Sequence, residues 1–345
     1  MVKRLLVAGL ALAPLTIALH YATSLGTTAE FVLSAVALIP LAWLIGEATE
    51  HAAEHTGPGI GGFLNATFGN APELIIALIA VDRGLVEVVR GSLTGSVVSN
   101  LLLVLGFSLL AGGRGELDRF SSFLSFGLIG VAVVLFLIPS IPGWSGNPNR
   151  HALAVLSVPI AIALLVVYVV TTWFSLRRHH ELHEPGDEPD SAWSLPVSLG
   201  ALGIATVVTA LVAEILVGAL DGFSHRVGLS EFFVAAVIVA IVGNAAEHGG
   251  AVVVAYRGKI KLAAEIALSS AAQVAVFLIP AVALISWLIE PLSLSFRPIE
   301  IVALAASLVY VTAMLYGGRS SRLRGGLLAA GYVVVAVAFF VAGDR

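Results

Sequence analysis

The sequence predicts an all-α integral membrane protein with eleven transmembrane helices, and three features of the 345-residue chain lead there. Hydrophobic residues make up 58% and charged residues only 12%, where a soluble domain carries about 25% charge, and mean hydropathy is +1.00. Apolar runs of the roughly 20 residues needed to cross hydrocarbon recur along the whole chain. A six-residue phrase recurs with them, first as Gly69-Asn70-Ala71-Pro72-Glu73-Leu74 and again as Gly243-Asn244-Ala245-Ala246-Glu247-His248.

The apolar runs cover 5–22, 29–52, 59–82, 85–112, 120–141, 151–176, 195–220, 230–256, 260–289, 297–316 and 325–343. The first follows Lys3-Arg4. No small-x-small cleavage site follows a shorter apolar core, so 5–22 reads as a retained span. The clearest break, from His179 to Ser194, is polar and acidic and divides the chain near its midpoint. With the N-terminus inside, the inner segments hold twelve Lys and Arg and the outer segments six. That bias orients the chain N-terminus in and C-terminus out. The absence of Cys excludes disulfides, thiolate metal sites and thiol redox chemistry. A net charge of −4 gives no basis for a nucleic-acid partner. The partners this reading implies are the lipid bilayer and small cations; a homo-oligomer is compatible, though no motif argues for one.

The shift along the chain that carries Glu73 onto Glu247 also lays Gly95-Ser96 on Ser269-Ser270. The expected organisation is an extra N-terminal helix (1–27), a first five-helix repeat (28–178), an acidic cytoplasmic connector (179–194) and a second repeat (195–345). Five is odd, so the second repeat is inverted relative to the first. The two Gly-Asn-Ala-x-Glu segments then approach head to head near the midplane, the arrangement of many secondary transporters.

A carboxylate at that depth costs about 2.5–3.5 kcal/mol on insertion scales and marks a functional site by default. Gly69 and Pro72 weaken the third span and free backbone carbonyls, whereas Gly243 with Ala246 loosens the eighth more mildly. The first motif is therefore expected to be the more distorted. Glu73 and Glu247 are the candidate metal ligands, joined by the amide oxygens of Asn70 and Asn244 on the same helical faces. Such an oxygen set suits Ca²⁺. Without a metal, two close carboxylates in a poor dielectric repel and take up protons, so metal and protons compete. That competition is a sufficient coupling rule for antiport. No resident cofactor is implied; Ca²⁺ is cargo.

Glu47, Glu50 and Glu54 form a stripe at i, i+3 and i+7 along the second span, and Glu214 lies in the seventh. Glu47, Glu50 and Glu214 read as flanking acids on a cation and proton path. His248 adjoins Glu247 but points about 100° away around the helix. Supporting polar residues are Thr94, Ser96, Ser99 and Asn100 in the fourth span and Ser269, Ser270 and Gln273 in the ninth. A rival reading takes His51-Ala52-Ala53-Glu54-His55 as the H-x-x-E-H pattern of a membrane metalloprotease. It does not explain the duplicated motif.

The stretches Gly46-Glu-Ala-Thr-Glu50, Gly61-Gly-Phe-Leu-Asn-Ala-Thr-Phe-Gly-Asn-Ala-Pro-Glu73 and Gly95-Ser-Val-Val-Ser-Asn-Leu-Leu-Leu-Val-Leu-Gly106 resemble the first conserved repeat of the cation/proton exchanger family. Those proteins are Ca²⁺/H⁺ antiporters within the Ca²⁺/cation antiporter superfamily. Gly243-Asn-Ala-Ala-Glu-His248 and Ser269-Ser-Ala-Ala-Gln273 resemble the second repeat. The resemblance implies a Na⁺/Ca²⁺ exchanger-like fold of one plus five plus five helices. It implies Glu73 and Glu247 as central Ca²⁺ and proton carriers, Glu50 and Glu214 as flanking acids, and Gln273 beside the site. Pro72 departs from the family's usual apolar residue. The short connector and N-terminus fit a prokaryotic inner-membrane protein. Na⁺/Ca²⁺ exchange is the nearest alternative on the same fold.

Overall fold

The computed structural model describes residues 2–145, 149–180 and 193–344, with side chains except at 2, 57–60, 62–63, 65–66, 175–180 and 246. The larger part of the expected acidic connector lies outside the described residues. The chain is helical almost throughout. Among the described residues, nine helices are long and apolar enough to cross a membrane, or ten if the bent pair Glu231–Gly243 and Glu247–Tyr256 is one span. The one short sheet described pairs β1 (Gly115–Glu116) antiparallel with β2 (Arg319–Ser320).

Two short helices, α1 (Val2–Gly9) and α2 (Leu12–Ala22), supply the first stretch long and apolar enough to cross a membrane, Lys3–Ala22. The helix α3 (Thr27–Phe68) is assigned without interruption over 42 residues, but it does not run straight. A Cβ built on Gly61 would sit 2.7 Å from the carbonyl oxygen of Ala53. Eight residues along a straight helix are about 12 Å apart, so the chain doubles back between these two positions. This reversal falls where the sequence separates the second and third apolar runs. The expected third span, 59–82, is however not one helix: α3 ends at Phe68 and α4 (Ala71–Asp82) begins after a two-residue break.

The repeat read from the motifs reappears in the secondary structure. The shift that carries Glu73 onto Glu247 lays α4 on α12 (Ala245–Tyr256) at both ends, and the start of α5 (Val86–Val98) on that of α13 (Ile260–Gln273). Each of the latter pair continues through a wide π turn, Ser99–Val104 and Val274–Leu278, into α6 (Leu105–Gly112) and α14 (Ile279–Ile285). Such π turns often occur at functional sites, and here they recur at equivalent places. Both repeats end in two long helices, α7 (Arg119–Gly143) and α8 (Arg150–His180) in one, α15 (Pro298–Leu315) and α16 (Arg322–Ala342) in the other. The helix α9 (Leu195–Val227) packs along α3, and α10 (Glu231–Phe233) leads through the π turn Val234–Val239 into α11 (Ala240–Gly243).

One end of the bundle is tied by interlocking contacts. Asp344 accepts the backbone N–H groups of Glu231 (3.1 Å) and Phe232 (2.9 Å). Arg297 donates to the Gly343 carbonyl at 2.8 Å, and Trp144 Nε1 donates to the Phe296 carbonyl at 2.8 Å. Gly222, near the end of α9, abuts Thr27, where a Cβ would meet its Cγ2 at 2.9 Å. At the other end β1 pairs with β2, Lys261 reaches Asp118 at 3.0 Å, and Asp118 caps α7 by accepting from Ser121 N at 2.9 Å.

The closest interhelical approach that bears on the site is between α5 and the π turn after α10. A Cβ on Gly95 would overlap the Ala236 carbonyl oxygen, so only glycine allows this crossing, in the manner of small-residue packing between membrane helices. Gly95→Val is expected to force the helices apart and to lower stability by more than the about 1–3 kcal/mol of ordinary overpacking. Gly127→Val, with nothing within 4 Å of its built Cβ, should be near neutral. Thermal unfolding of both variants in detergent checks this; equal midpoints would refute the packing argument.

Candidate functional site

Each motif lies at a helix junction. Asn70 (φ −99°, ψ 14°) precedes α4, and Asn244 (φ −91°, ψ 6°) precedes α12, both in the sparsely allowed bridge region. The greater distortion expected of the first motif is absent at these residues, whose angles nearly coincide. The reason is the position of Pro72. It falls in the first turn of α4, where the backbone N–H has no intrahelical partner to lose. α11 and α12 meet at 58° without any proline.

The break has an electrostatic consequence. Glu73 and Glu247 both fall in the first turn of a helix, where exposed N–H groups and the helix dipole favour negative charge. Glu73 is 8% exposed, and its carboxylate lies on the second motif: a Cβ built on Gly243 would be 3.4 Å from Glu73 Cγ and Oε1. Glu73 and Glu247 are close enough for their charges to interact. The two halves of the sequence thus supply one acidic centre.

The supporting amides and hydroxyls bridge the repeats. Asn244 Nδ2 donates to Ser96 Oγ at 2.8 Å and to the Ala240 carbonyl at 2.9 Å. Asn70 Nδ2 donates to Gln273 Oε1 at 3.4 Å. Asn100 Nδ2 donates to Ser270 Oγ at 3.1 Å, and Ser270 Oγ donates to Glu247 Oε2 at 2.5 Å. Asn100 therefore acts on Glu247 through Ser270 rather than directly. Three buried oxygens here, Glu73 Oε2, Asn100 Oδ1 and Asn244 Oδ1, have no hydrogen-bond donor among the described residues. An ionised carboxylate only accepts, and buried acceptors without partners call for a proton, a water or a cation.

Other residues singled out in the sequence stand apart from this centre. Glu50 is exposed. Glu214 is also exposed and lies 3.6 Å from Arg83 Nη2. Glu47 contacts the Lys3 ammonium and lies 3.8 Å from His51. Ser269 is exposed, its hydroxyl donating to the Ile266 carbonyl of its own helix at 3.1 Å. Ser99 donates to Ser96 O at 3.1 Å, and His248 is half-buried, its Nε2 without a hydrogen-bond partner among the described residues. The metalloprotease pattern does not assemble. His55 Nε2 lies 2.7 Å from the Trp193 carbonyl, and among the described residues no three His, Asp or Glu are arranged to hold a metal.

Sequence reasoning missed a second charged cluster. Glu300 is fully buried, with Arg90 and Arg297 at 8% and 6% exposure. Arg297 Nε lies 3.6 Å from Glu87 Oε2 and 3.8 Å from Glu300 Oε2, and Arg90 Nη1 lies 4.0 Å from Glu87 Oε1. Thr94 donates to Glu300 Oε1 at 3.5 Å, Arg297 N donates to Glu300 Oε2 at 2.5 Å, and the guanidinium of Arg297 stacks on Phe232 at 3.8 Å. The available signal was the Arg297-Pro-Ile-Glu300 capping box together with Glu87 and Arg90 one turn apart. Beside the cluster opens a cavity of 920 Å³ lined by Glu87, Arg90, Arg150, His151, Glu231 and Glu290. Its lining residue on α4, Val81, is about 12 Å along the helix from Glu73.

A helical membrane protein whose two halves repeat in secondary structure and meet at a shared pair of acids belongs to the class of repeat-built ion transporters. The chain belongs to the sodium/calcium exchanger protein family, whose profile matches residues 27–177 and 197–341. It is 38% identical over 337 residues to the Ca²⁺/H⁺ antiporter of Aphanothece halophytica, covering 90% of this chain and 89% of that one. A crystal structure of the Ca²⁺/H⁺ antiporter protein YfkE superposes with a TM-score of 0.82 at 34% identity, covering 98% of this chain and 99% of that one. The sodium-calcium exchanger NCX_Mj, at 17% identity and a TM-score of 0.57 over 92% of this chain and 98% of that one, shares the fold.

Removing Glu300 takes from the buried Arg297 guanidinium one of its two carboxylate neighbours and from the Arg297 N–H its acceptor. Glu300→Ala is expected to cost about 3–5 kcal/mol, the usual penalty for breaking a buried ion pair. Thermal unfolding in detergent measures it, and a loss below about 1 kcal/mol, the worth of an exposed pair, would show that the cluster is not a buried clamp.

Proposed function

We propose that this protein exchanges Ca²⁺ for H⁺ across a prokaryotic inner membrane, exporting Ca²⁺ from the cytoplasm at the expense of the proton gradient. The observation that carries the reading is the contact of the Glu73 carboxylate with Gly243 of the opposite repeat, among buried oxygens that lack donors. Glu73 and Glu247, with the amide oxygens of Asn70 and Asn244, hold either one Ca²⁺ or its replacement protons. Hard cations take six to eight oxygens, and water completes the set. Ser270 and Gln273 orient the ligands. The names of the relatives support the choice of ions.

Eleven crossings are supported by the contacts that tie one end of the bundle. The segments near Thr27, Glu87, Trp144, Glu231, Arg297 and Asp344 are joined there. Between each neighbouring pair the chain leaves and returns, including the reversal between Ala53 and Gly61, and residues 2–22 add one crossing. The termini then face opposite sides, and the Lys and Arg excess sets the N-terminus inside. The cavity beside Glu87 and Arg90 is the outer vestibule. The two repeats are 28–178 and 195–345, joined by the connector at 179–194. Alternating access follows if α3 and α9, packed on each other, slide with α2 and α8 past the remaining helices.

Glu73→Gln and Glu247→Gln are each expected to abolish exchange while the protein still folds. Ser270→Ala, which removes an outer-shell partner, is expected to weaken Ca²⁺ binding about 10–100-fold. Radiolabelled Ca²⁺ uptake into everted vesicles under an imposed pH gradient, with and without Na⁺, checks all three variants. Near-normal exchange in either Gln variant defeats the shared site, and uptake driven by Na⁺ but not by protons replaces H⁺ coupling with Na⁺ coupling.

A further inference from the structure

The offset that relates the two motifs relates a second pair of features. The same shift carries Glu47 and His51 in α3 onto Asp221 and His225 in α9. In α3, His51 Nε2 is 3.8 Å from Glu47 Oε1. In α9, His225 Nε2 is 3.1 Å from Asp221 Oδ1. Each half of the molecule thus carries a carboxylate and an imidazole one turn apart at the same place in its repeat.

The two pairs lie at opposite ends of the bundle. Gly222, beside Asp221, abuts Thr27 at the start of α3, and His51 is about 36 Å further along that helix. His51 is instead near the start of α9, its ring 5.1 Å from Trp193. The charged surroundings also correspond. Around His51 are Glu54, 3.6 Å from Nδ1, and the Lys3 ammonium on Glu47. Near Asp221 and His225 are Glu231 of α10 and Asp344, which accepts the Glu231 backbone N–H at 3.1 Å. Arg226 points to Gly26, and on the adjoining α2 and α3 His20 Nδ1 lies 2.8 Å from Glu30.

Imidazole can both accept and release a proton, and each of these rings has a carboxylate one turn away. We propose that Glu47–His51 and Asp221–His225 are matched proton-transfer stations, one at each mouth of the exchanger. On the side where protons enter, the imidazole takes one from water on its own face and gives it to water leading towards Glu73 and Glu247. On the other side the same steps run in reverse, and each ring ends as it began. The inference rests on the Ca²⁺/H⁺ reading above and assigns it two residues at each face.

The test uses right-side-out and everted vesicles of the full chain, with pH varied on one face at a time and Ca²⁺ exchange normalised to its maximum. His51→Gln is expected to flatten the pH dependence on its own face and leave the opposite face unchanged. His225→Gln is expected to do the reverse, and Asp221→Asn to shift the same profile as His225→Gln. Wild-type profiles on both faces in both His variants overturn the proposal. So does one variant altering both faces equally, or exchange lost at every pH from folded protein. If wild-type exchange responds to pH on neither face, Ca²⁺/H⁺ coupling itself fails and the stations fall with it.

Discussion

Two carboxylates from different halves of the chain must be accommodated together inside a helical bundle, and the other arrangements in the molecule bear on that requirement. The chain meets the requirement by breaking two helices at equivalent asparagines, so that Glu73 and Glu247 each stand in a helix first turn. Partial positive charge from the backbone then stabilises the acids without neutralising them. The donors supplied to the pair are few, Ser270 to Glu247 among them, and Glu73 Oε2 has none among the described residues.

Permanent charges are placed elsewhere. Arg90, Arg297, Glu87 and Glu300 offset one another's charge at one end of the bundle, where they bind α5 to α15 and, through Phe232 and Gly343, to α10 and the C-terminal residues. From that clamp α5 runs inward past Gly91 and Gly95, which rest on the backbone of Phe232 and Ala236. Ser96 follows, one residue beyond this crossing, and receives Asn244. A rigid, side-chain-free crossing therefore sets how close the two repeats come, and that closeness is what brings Glu73 onto Gly243.

Much of this was legible in the chain itself. The apolar runs gave the helices, and the spacing of Glu73 and Glu247 gave a repeat whose offset holds for the starts of α4, α5 and α6 against α12, α13 and α14. Other features were not legible. Pro72 suggested an asymmetry between the motifs that vanishes because proline is harmless in a helix first turn. Glu214 reads from the sequence as a flanking acid of the seventh span, and only the folded chain shows that its side chain is exposed beside Arg83. The arginines at 90 and 297 looked like ordinary loop charges, because nothing local shows that their partners fold over them.

Local composition was enough to tell that the chain is a helical membrane protein, that its motifs repeat, and which acids lie among apolar neighbours. It suffices because the transfer of each segment into hydrocarbon depends on its own residues. Which polar atoms meet was settled only by the folded bundle: Ser270 with Glu247, Asn244 with Ser96, Arg297 with Glu300 and Glu87. Those contacts join elements that hydropathy treats one at a time. They depend on helix rotation and on approach distances that glycines such as Gly95 permit, and neither is encoded in hydropathy.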